Sequence, residues 1–298
     1  MAEHEEGYRL DRAGARAAFD RASSRYESAA ALQARVSGEL LGRLGAFDFK
    51  PGVVLDSGAG TGRVTRELKR RYRGALVIAL DIAPGMLREA RRHIAPWRRF
   101  ERVCADAQRL PLRDASVDLV FSSLMLQWCE PLDEALAEVR RVLRPGGFFA
   151  FSTFGPDTLK ELRAAWAETD TLTHVNRFID LHDVGDAVSR AGLAEPVLDV
   201  DRIELSYPDT LSLMRDLKAI GAHNVTAGRP RTLTGRSKLE RMSRAYEAFR
   251  RGEKLPATYE VIYGASWGGT GAPAAAPRAG EVRIAPGSIR RRAGTTSS

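Results

Sequence analysis

Cysteine is nearly absent: Cys104 and Cys129 are the only two in 298 residues. They show neither pairing nor metal-ligand spacing, which excludes a disulfide framework and suits a reducing compartment. Cys104 reads as part of a buried strand and Cys129 as part of a strand-end loop. Long apolar runs are also missing. No stretch approaches the roughly 18–20 apolar residues that cross a bilayer, and the charged first 30 residues lack a signal-peptide core. A soluble, unexported, cytoplasmic protein with no membrane partner is therefore expected. Lysine is scarce, at six residues against 40 arginines among the 46 basic residues. This bias is as well explained by genome composition as by function. No internal repeat is visible.

A composition of 44% hydrophobic and 28% charged residues is enough for a full core, and predicts one large domain or one domain with an insertion. The net charge of +8 is concentrated in two clusters, Arg66, Lys69, Arg70, Arg71, Arg73 and Arg88, Arg91, Arg92, Arg98, Arg99, Arg102. Either these are solvated helix faces or they attract an acidic partner.

From Pro51 to Phe154, short apolar runs alternate with helical patterns, the signature of βα units on a parallel sheet. Strands are predicted at Val53–Asp56, Leu76–Asp81, Glu101–Ala105, Val117–Ser122 and Phe148–Thr153. Helices between them begin near Arg63, Met86 and Leu132. Arg144, Pro145, Gly146 and Gly147 stop the last of these helices. Two further strands, Val197–Tyr207 and Tyr259–Tyr263, complete an α/β, doubly wound, mostly parallel seven-stranded Rossmann-like sheet. The expected organisation is an N-terminal helical cap (1–50), an α/β core (51–155), the remaining helices and last two strands (156–267) with an inserted helical lid at about 208–254, and a flexible tail (268–298).

The first strand runs into Asp56, Ser57, Gly58, Ala59, Gly60, Thr61, Gly62, where glycines let the backbone approach a ligand at a helix N-terminus. Asp81 ends the second strand, where an acid can accept both hydroxyls of a ribose. The spacing G-x-G-x-G and the preceding Asp56, whose charge suits an ammonium group better than a pyrophosphate, favour an amino-acid-bearing cofactor over a dinucleotide. A carboxylate at Asp106 can take an adenine amine. Together, Val53–Phe154 resembles the class I S-adenosylmethionine-dependent methyltransferases. The resemblance implies S-adenosyl-L-methionine as cofactor. Asp56, Gly58, Gly60 and Gly62 would cradle its methionine part, Asp81 would take the ribose, and Met86 would pack near the adenine. Asp106 and Ala107 would hold the adenine end, with Ser122 or Leu124 beside the cofactor.

Outside the core, Leu126–Cys129 (LQWC), His174–Asp180 (HVNRFID) followed by His182–Gly185, and Met214–Asn224 (MRDLKAIGAHN) look like the malonyl-acyl-carrier-protein O-methyltransferases of biotin synthesis, the BioC family. Further matches extend the likeness to most of the chain up to Trp267. It implies methyl transfer to the free carboxylate of a malonyl thioester and an acidic carrier protein as partner. No general base is needed, because the carboxyl is already ionised at neutral pH. Arg177 is the candidate for a paired contact to that carboxylate. Tyr26 would cover the cofactor, Trp128 would form an apolar wall, and His223 would cap a helix or touch cofactor or arm. His174 and His182 have no third ligand at metal spacing. Alternatives are a methyltransferase for another small carboxylate or a quinone, and a non-methylating, arginine-modifying assembly factor. A nucleic-acid methyltransferase is disfavoured: Ser122–Met125 replaces the Asn/Asp-Pro-Pro-aromatic signature, and no RNA-binding module is present.

Overall fold

The computed structural model describes residues 10–47, 49–95, 97–221 and 235–269. Seven strands form one sheet in the order β3-β2-β1-β4-β5-β7-β6. They are β1 (Val53–Ser57), β2 (Leu76–Asp81), β3 (Glu101–Cys104), β4 (Val117–Ser123), β5 (Leu143–Phe154), β6 (Leu193–Tyr207) and β7 (Leu255–Gly268). The first five run parallel to one another, whereas β7 lies antiparallel between β5 and β6.

Side-chain alternation along the central strands divides the core between two faces. Val54, Leu119, Phe121, Phe148 and Ala150 are buried on one face; Leu55, Val120, Phe149 and Phe151 are buried on the other. The first face is covered by α3 (Ala31–Arg43), α4 (Arg63–Arg71), α5 (Pro84–Arg92), α7 (Lys160–Ala167) and α10 (Arg236–Tyr246), and the second by α6 (Leu132–Val142) and α8 (Leu181–Arg190). This two-sided cover follows from right-handed crossovers that run outward in opposite directions from β1 and β4. Burying each Phe of β5 contributes about 2–3 kcal/mol.

Two more helices, α1 (Arg12–Ala22) and α2 (Tyr26–Ala29), precede the sheet, and α9 (Thr210–Ala219) follows β6. Local signals set several helix starts. The Asp11 carboxylate accepts from Gly14 N on α1, Asp180 from His182 N and Asp183 N on α8, and Asp209 from Ser212 N on α9. Each such cap is worth about 1 kcal/mol. Pro84 occupies the first turn of α5, where it costs no hydrogen bond.

Three expectations need correction. Cys104 is exposed, because β3 is a four-residue edge strand with open flanks. Arg144–Gly147 does not separate α6 from the fifth strand: β5 already begins at Leu143, and the Pro-Gly stretch lies at a register shift against β4. The last strand is 14 residues long, far beyond Tyr259–Tyr263. Within the segment expected to be a lid, α9 packs against α2 and β6, and α10 packs against α7. Among the described residues, no helix is long and apolar enough to cross a membrane.

Candidate active site

The strand order reverses between β1 and β4, and a cavity opens there at the carboxyl ends of the strands, where open α/β sheets bind ligands. Gly58 and Gly60 come from the loop after β1, Asp81 from the end of β2 and Met86 from α5, Asp106 and Ala107 from after β3, and Leu124 and Trp128 from after β4. Tyr26 closes the space from α2.

The loop after β1 takes left-handed turns that only glycine adopts without strain. Gly58 has φ +81°, and a Cβ there would sit 2.4 Å from Met125 Cγ. Gly60 has φ +54°, and a Cβ there would meet nothing within 4 Å, so its side toward the cavity is open. Asp81 is fixed by two backbone donors, Gly60 N to Oδ2 at 2.9 Å and Ala83 N to Oδ1 at 2.8 Å. Each oxygen retains a lone pair for a ligand hydroxyl. Burial raises the Asp81 pKa from 3.8 to about 6, against the pull of those backbone N–H groups. Asp106 Oδ1 accepts from Gln108 N at 2.9 Å, and Oδ2 pairs with Arg12 at 3.0 Å. Tyr26 has its phenol pKa raised, by burial and then by the nearby Asp81 charge.

Several expected residues lie elsewhere. Asp56 sits behind the loop, 2% exposed, and its Oδ2 accepts from Thr65 Oγ1 of α4 at 2.5 Å. Burial, assisted by the Asp81 charge, raises its pKa to about 7, with the Thr65 hydroxyl opposing. It supports the loop and does not line the cavity. Gly62 packs away from the cavity, where a Cβ would be 2.9 Å from that of Ala90. Ser122 is buried within the sheet, and the parity of β4 presents Ser123 to the cavity instead. His223 lies outside the described residues.

Arg177 is not in this cavity. It lines a wider cleft between α6, α7, α8 and the segment 168–180, together with Gln127, Thr153, Trp166 and Phe178. The two spaces share Cys129. Burial, and next the Asp106 charge, raises the Cys129 thiol to about 12, so it stays protonated and apolar. His174 stacks on Trp166 at 3.7 Å, and its Nε2 lies 2.8 Å from Asp170 Oδ1. Lys238 of α10 holds the other Asp170 oxygen at 2.9 Å, and although burial opposes it, these bonds keep the Asp170 pKa at about 2. His182 is exposed at the start of α8. Among the described residues, no group of three or more His, Cys, Asp and Glu could hold a metal ion.

Sequence reasoning missed Arg12, Ala15, Phe19, Ile82 and Met125, all of which line the cavity. A signal existed for three of them: Arg12, Ala15 and Phe19 recur at i, i+3 and i+7, one face of α1. Phe19 meets Trp128 edge-on at 5.1 Å between ring centroids.

The open cradle at Gly60 and the two carboxylates at successive strand ends fit an adenosine-bearing, positively charged cofactor. Fold and site together define a class I S-adenosylmethionine-dependent methyltransferase. A family described as a methyltransferase domain matches residues 55–151. Among solved structures, the YcgJ protein of Bacillus subtilis superposes with a TM-score of 0.54 at 16% identity, over 78% of this chain and 98% of that one. Phosphoethanolamine N-methyltransferase 2 of Haemonchus contortus, solved with S-adenosyl-L-methionine, gives 0.52 at 15% identity, over 83% and 57%. These likenesses show the fold.

The sequence relatives are far more similar. Malonyl-acyl-carrier protein O-methyltransferases of Methylovorus sp. (52% identical, 88% of this chain and 90% of the relative) and Laribacter hongkongensis (50%, 92% and 93%) match nearly end to end. That of Halorhodospira halophila is 50% identical over 95% of this chain and 97% of its own length. The chain belongs to the malonyl-acyl-carrier protein O-methyltransferase family.

Proposed function

We propose that the protein transfers a methyl group to the free carboxylate of malonyl-acyl-carrier protein, giving the methyl ester as an early step of biotin synthesis. The observation that carries this reading is an acid-lined cavity at the switch point with a cleft holding Arg177 beside it, Cys129 lining both. S-adenosylmethionine, when bound, supplies an activated methyl group on a positively charged sulfur. Asp81 accepts its ribose hydroxyls and Asp106 its adenine amine, Met86 packs on the adenine, and the open side of Gly60 leaves room for the methionine part.

The remaining work falls to the chain's own side chains. Arg177 grips the malonyl carboxylate by paired hydrogen bonds, a geometry that suits guanidinium. With an ordinary pKa of about 4, that carboxylate is already an anionic nucleophile at neutral pH, so no side chain has to remove a proton. Trp128, braced by Phe19, joins Leu124 and Tyr26 in excluding water, which strengthens the attraction of anion for cation and holds the reacting atoms in line.

The test is mass spectrometry of purified protein incubated with S-adenosylmethionine and malonyl-acyl-carrier protein. Acetyl-carrier protein and malonyl-coenzyme A run in parallel. A gain of one methylene mass on the malonyl carrier alone is expected. A gain on the coenzyme A thioester instead would reject the carrier protein as substrate. No gain on any acceptor, with cofactor binding intact, would reject malonyl carboxyl methylation.

A further inference from the structure

Arg12 belongs to none of the strand-end loops that build the cavity, yet its side chain lines it. Its guanidinium pairs with Asp106 Oδ2 at 3.0 Å and donates to Gln108 Oε1. The Gln108 side chain has its orientation fixed. Its Nε2 donates to Pro131 O and to Glu134 Oε2, both at 3.0 Å, which leaves Oε1 facing Arg12. Gln108 is 5% exposed, and a buried amide carbonyl facing a cation is an acceptor that would be costly to strand. The structure thus holds a prepared receptor for a guanidinium on the core, reached by a residue of α1.

The other contacts of this N-terminal segment run to the same rim. Glu27 Oε1 accepts from Thr61 Oγ1 at 2.9 Å in the glycine loop, and Asp20 Oδ1 accepts from Gly85 N at the start of α5. Leu10 N donates to Glu130 Oε2 at 2.6 Å. Residues 10–30 are therefore tied to the segments after β1, β2, β3 and β4, across the mouth of the cavity. Of these ties, the one at Arg12 closes on Asp106, the carboxylate assigned to the adenine amine. Each carboxylate oxygen has two lone pairs, so Asp106 can serve the guanidinium and the amine together.

We propose that Arg12 is a cofactor-retaining residue: by bridging Asp106 and Gln108 it closes the adenine end of the site, and this ion pair must open each time product cofactor is exchanged for fresh. The proposal rests on the assignment of the cavity to S-adenosylmethionine. It extends that assignment by naming a residue that controls the lifetime of the bound cofactor. Arg12 and Asp106 are about one-third exposed (40% and 32%), so the bridge is of the strength that salt screens and a moving helix can break.

The test measures dissociation of S-adenosylmethionine and S-adenosylhomocysteine by stopped flow, for wild type and Arg12→Gln, at low and high salt. The variant is expected to release both ligands roughly fivefold faster, the factor that about 1 kcal/mol gives for a partly exposed ion pair. High salt is expected to speed release from wild type and leave the variant unchanged. A merely structural tether would instead lower the melting temperature of the cofactor-free protein and leave the salt dependence of release intact. Release from Arg12→Gln within twofold of wild type, or with the same salt dependence, overturns the proposal. Failure of wild type to bind S-adenosylmethionine would overturn the cofactor assignment itself, a separate result seen when the complex for the stopped-flow measurement is formed.

Discussion

Asp81 makes the affinity for a cationic cofactor depend on pH, and both it and the buried Asp56 behind it titrate in a range where few carboxylates do. Burial places their pKa values at about 6 and about 7, against an ordinary 3.8. Only the ionised form of Asp81 attracts a sulfonium and accepts two ribose hydroxyls. A group of pKa about 6 is ~90% ionised at pH 7 and ~10% at pH 5, so affinity for S-adenosylmethionine should fall roughly tenfold between them, or about 1.4 kcal/mol. The ammonium group of the ligand stays protonated throughout this range, so the change belongs to the protein. In the cofactor-free protein the sign is reversed. Both pKa values are raised, so between about pH 4 and 7 the folded chain binds more protons than the unfolded chain. The stability these groups contribute is complete below pH ~4 and is lost as pH rises through about 6 and 7. Acidification should therefore shrink the thermal shift produced by cofactor while the cofactor-free protein itself gains stability. Isothermal titration at pH 5 and 7, on wild type and Asp81→Asn, measures the effect. Equal affinity of wild type at the two pH values, or full pH dependence persisting in Asp81→Asn, would refute the reasoning.

Two other perturbations probe separate links of the argument. Arg177→Ala removes a charge-assisted pair worth about 1.5–3 kcal/mol, so KM for malonyl-acyl-carrier protein should rise roughly tenfold to a hundredfold. Cofactor affinity should hold by calorimetry, and an unchanged KM would dismiss Arg177 from carboxylate binding. In Gly264→Ala, the new Cβ would lie 2.1 Å from Phe151 Cζ, in a core that has no slack. A loss of about 1–3 kcal/mol in urea unfolding is expected, and a midpoint equal to wild type would show that the β5–β7 contact is looser than described.

The parallel half of the sheet was legible because strands buried on both faces must be apolar throughout. Val53–Ser57 and Leu76–Asp81 therefore stand out between charged helices. The glycine loop was legible because its turns admit few other residues. The antiparallel half was harder. Glu195 at φ +51° and the register shift between Ala194 and Val197 interrupt the start of β6, and Gly264, Ser266 and Gly268 dilute the apolar run of β7. At the site, Asp81 and Asp106 were identifiable from strand ends. The exchange of Ser122 for Ser123 was not, because both serines lie within β4 and only the packing of its neighbours Leu119 and Phe121 fixes which one shares the cavity's side. Nothing in the linear spacing revealed that Asp56 would turn inward to Thr65. Arg12 shares only its helical spacing with Ala15 and Phe19, and its pairing with Asp106 is visible only once α1 is seen to lie across the segment after β3.

The position of β7 between β5 and β6 also orders events in time. Its pairing with β5 joins Phe154 to Val261 and Phe148 to Trp267. A ribosome adding about 5–20 residues per second needs roughly 5–20 s to produce the stretch that separates them. For that interval the finished half of the sheet presents β5, rich in phenylalanine, as an unpaired edge open to other chains. The cofactor pocket is built on the early half, and the cover for that edge arrives last. A nascent or truncated chain that stops before Leu255 would carry the site's framework together with its most adhesive strand. Slowing synthesis between β5 and β7 is therefore expected to lower the yield of intact protein, and shielding β5 during that interval to restore it.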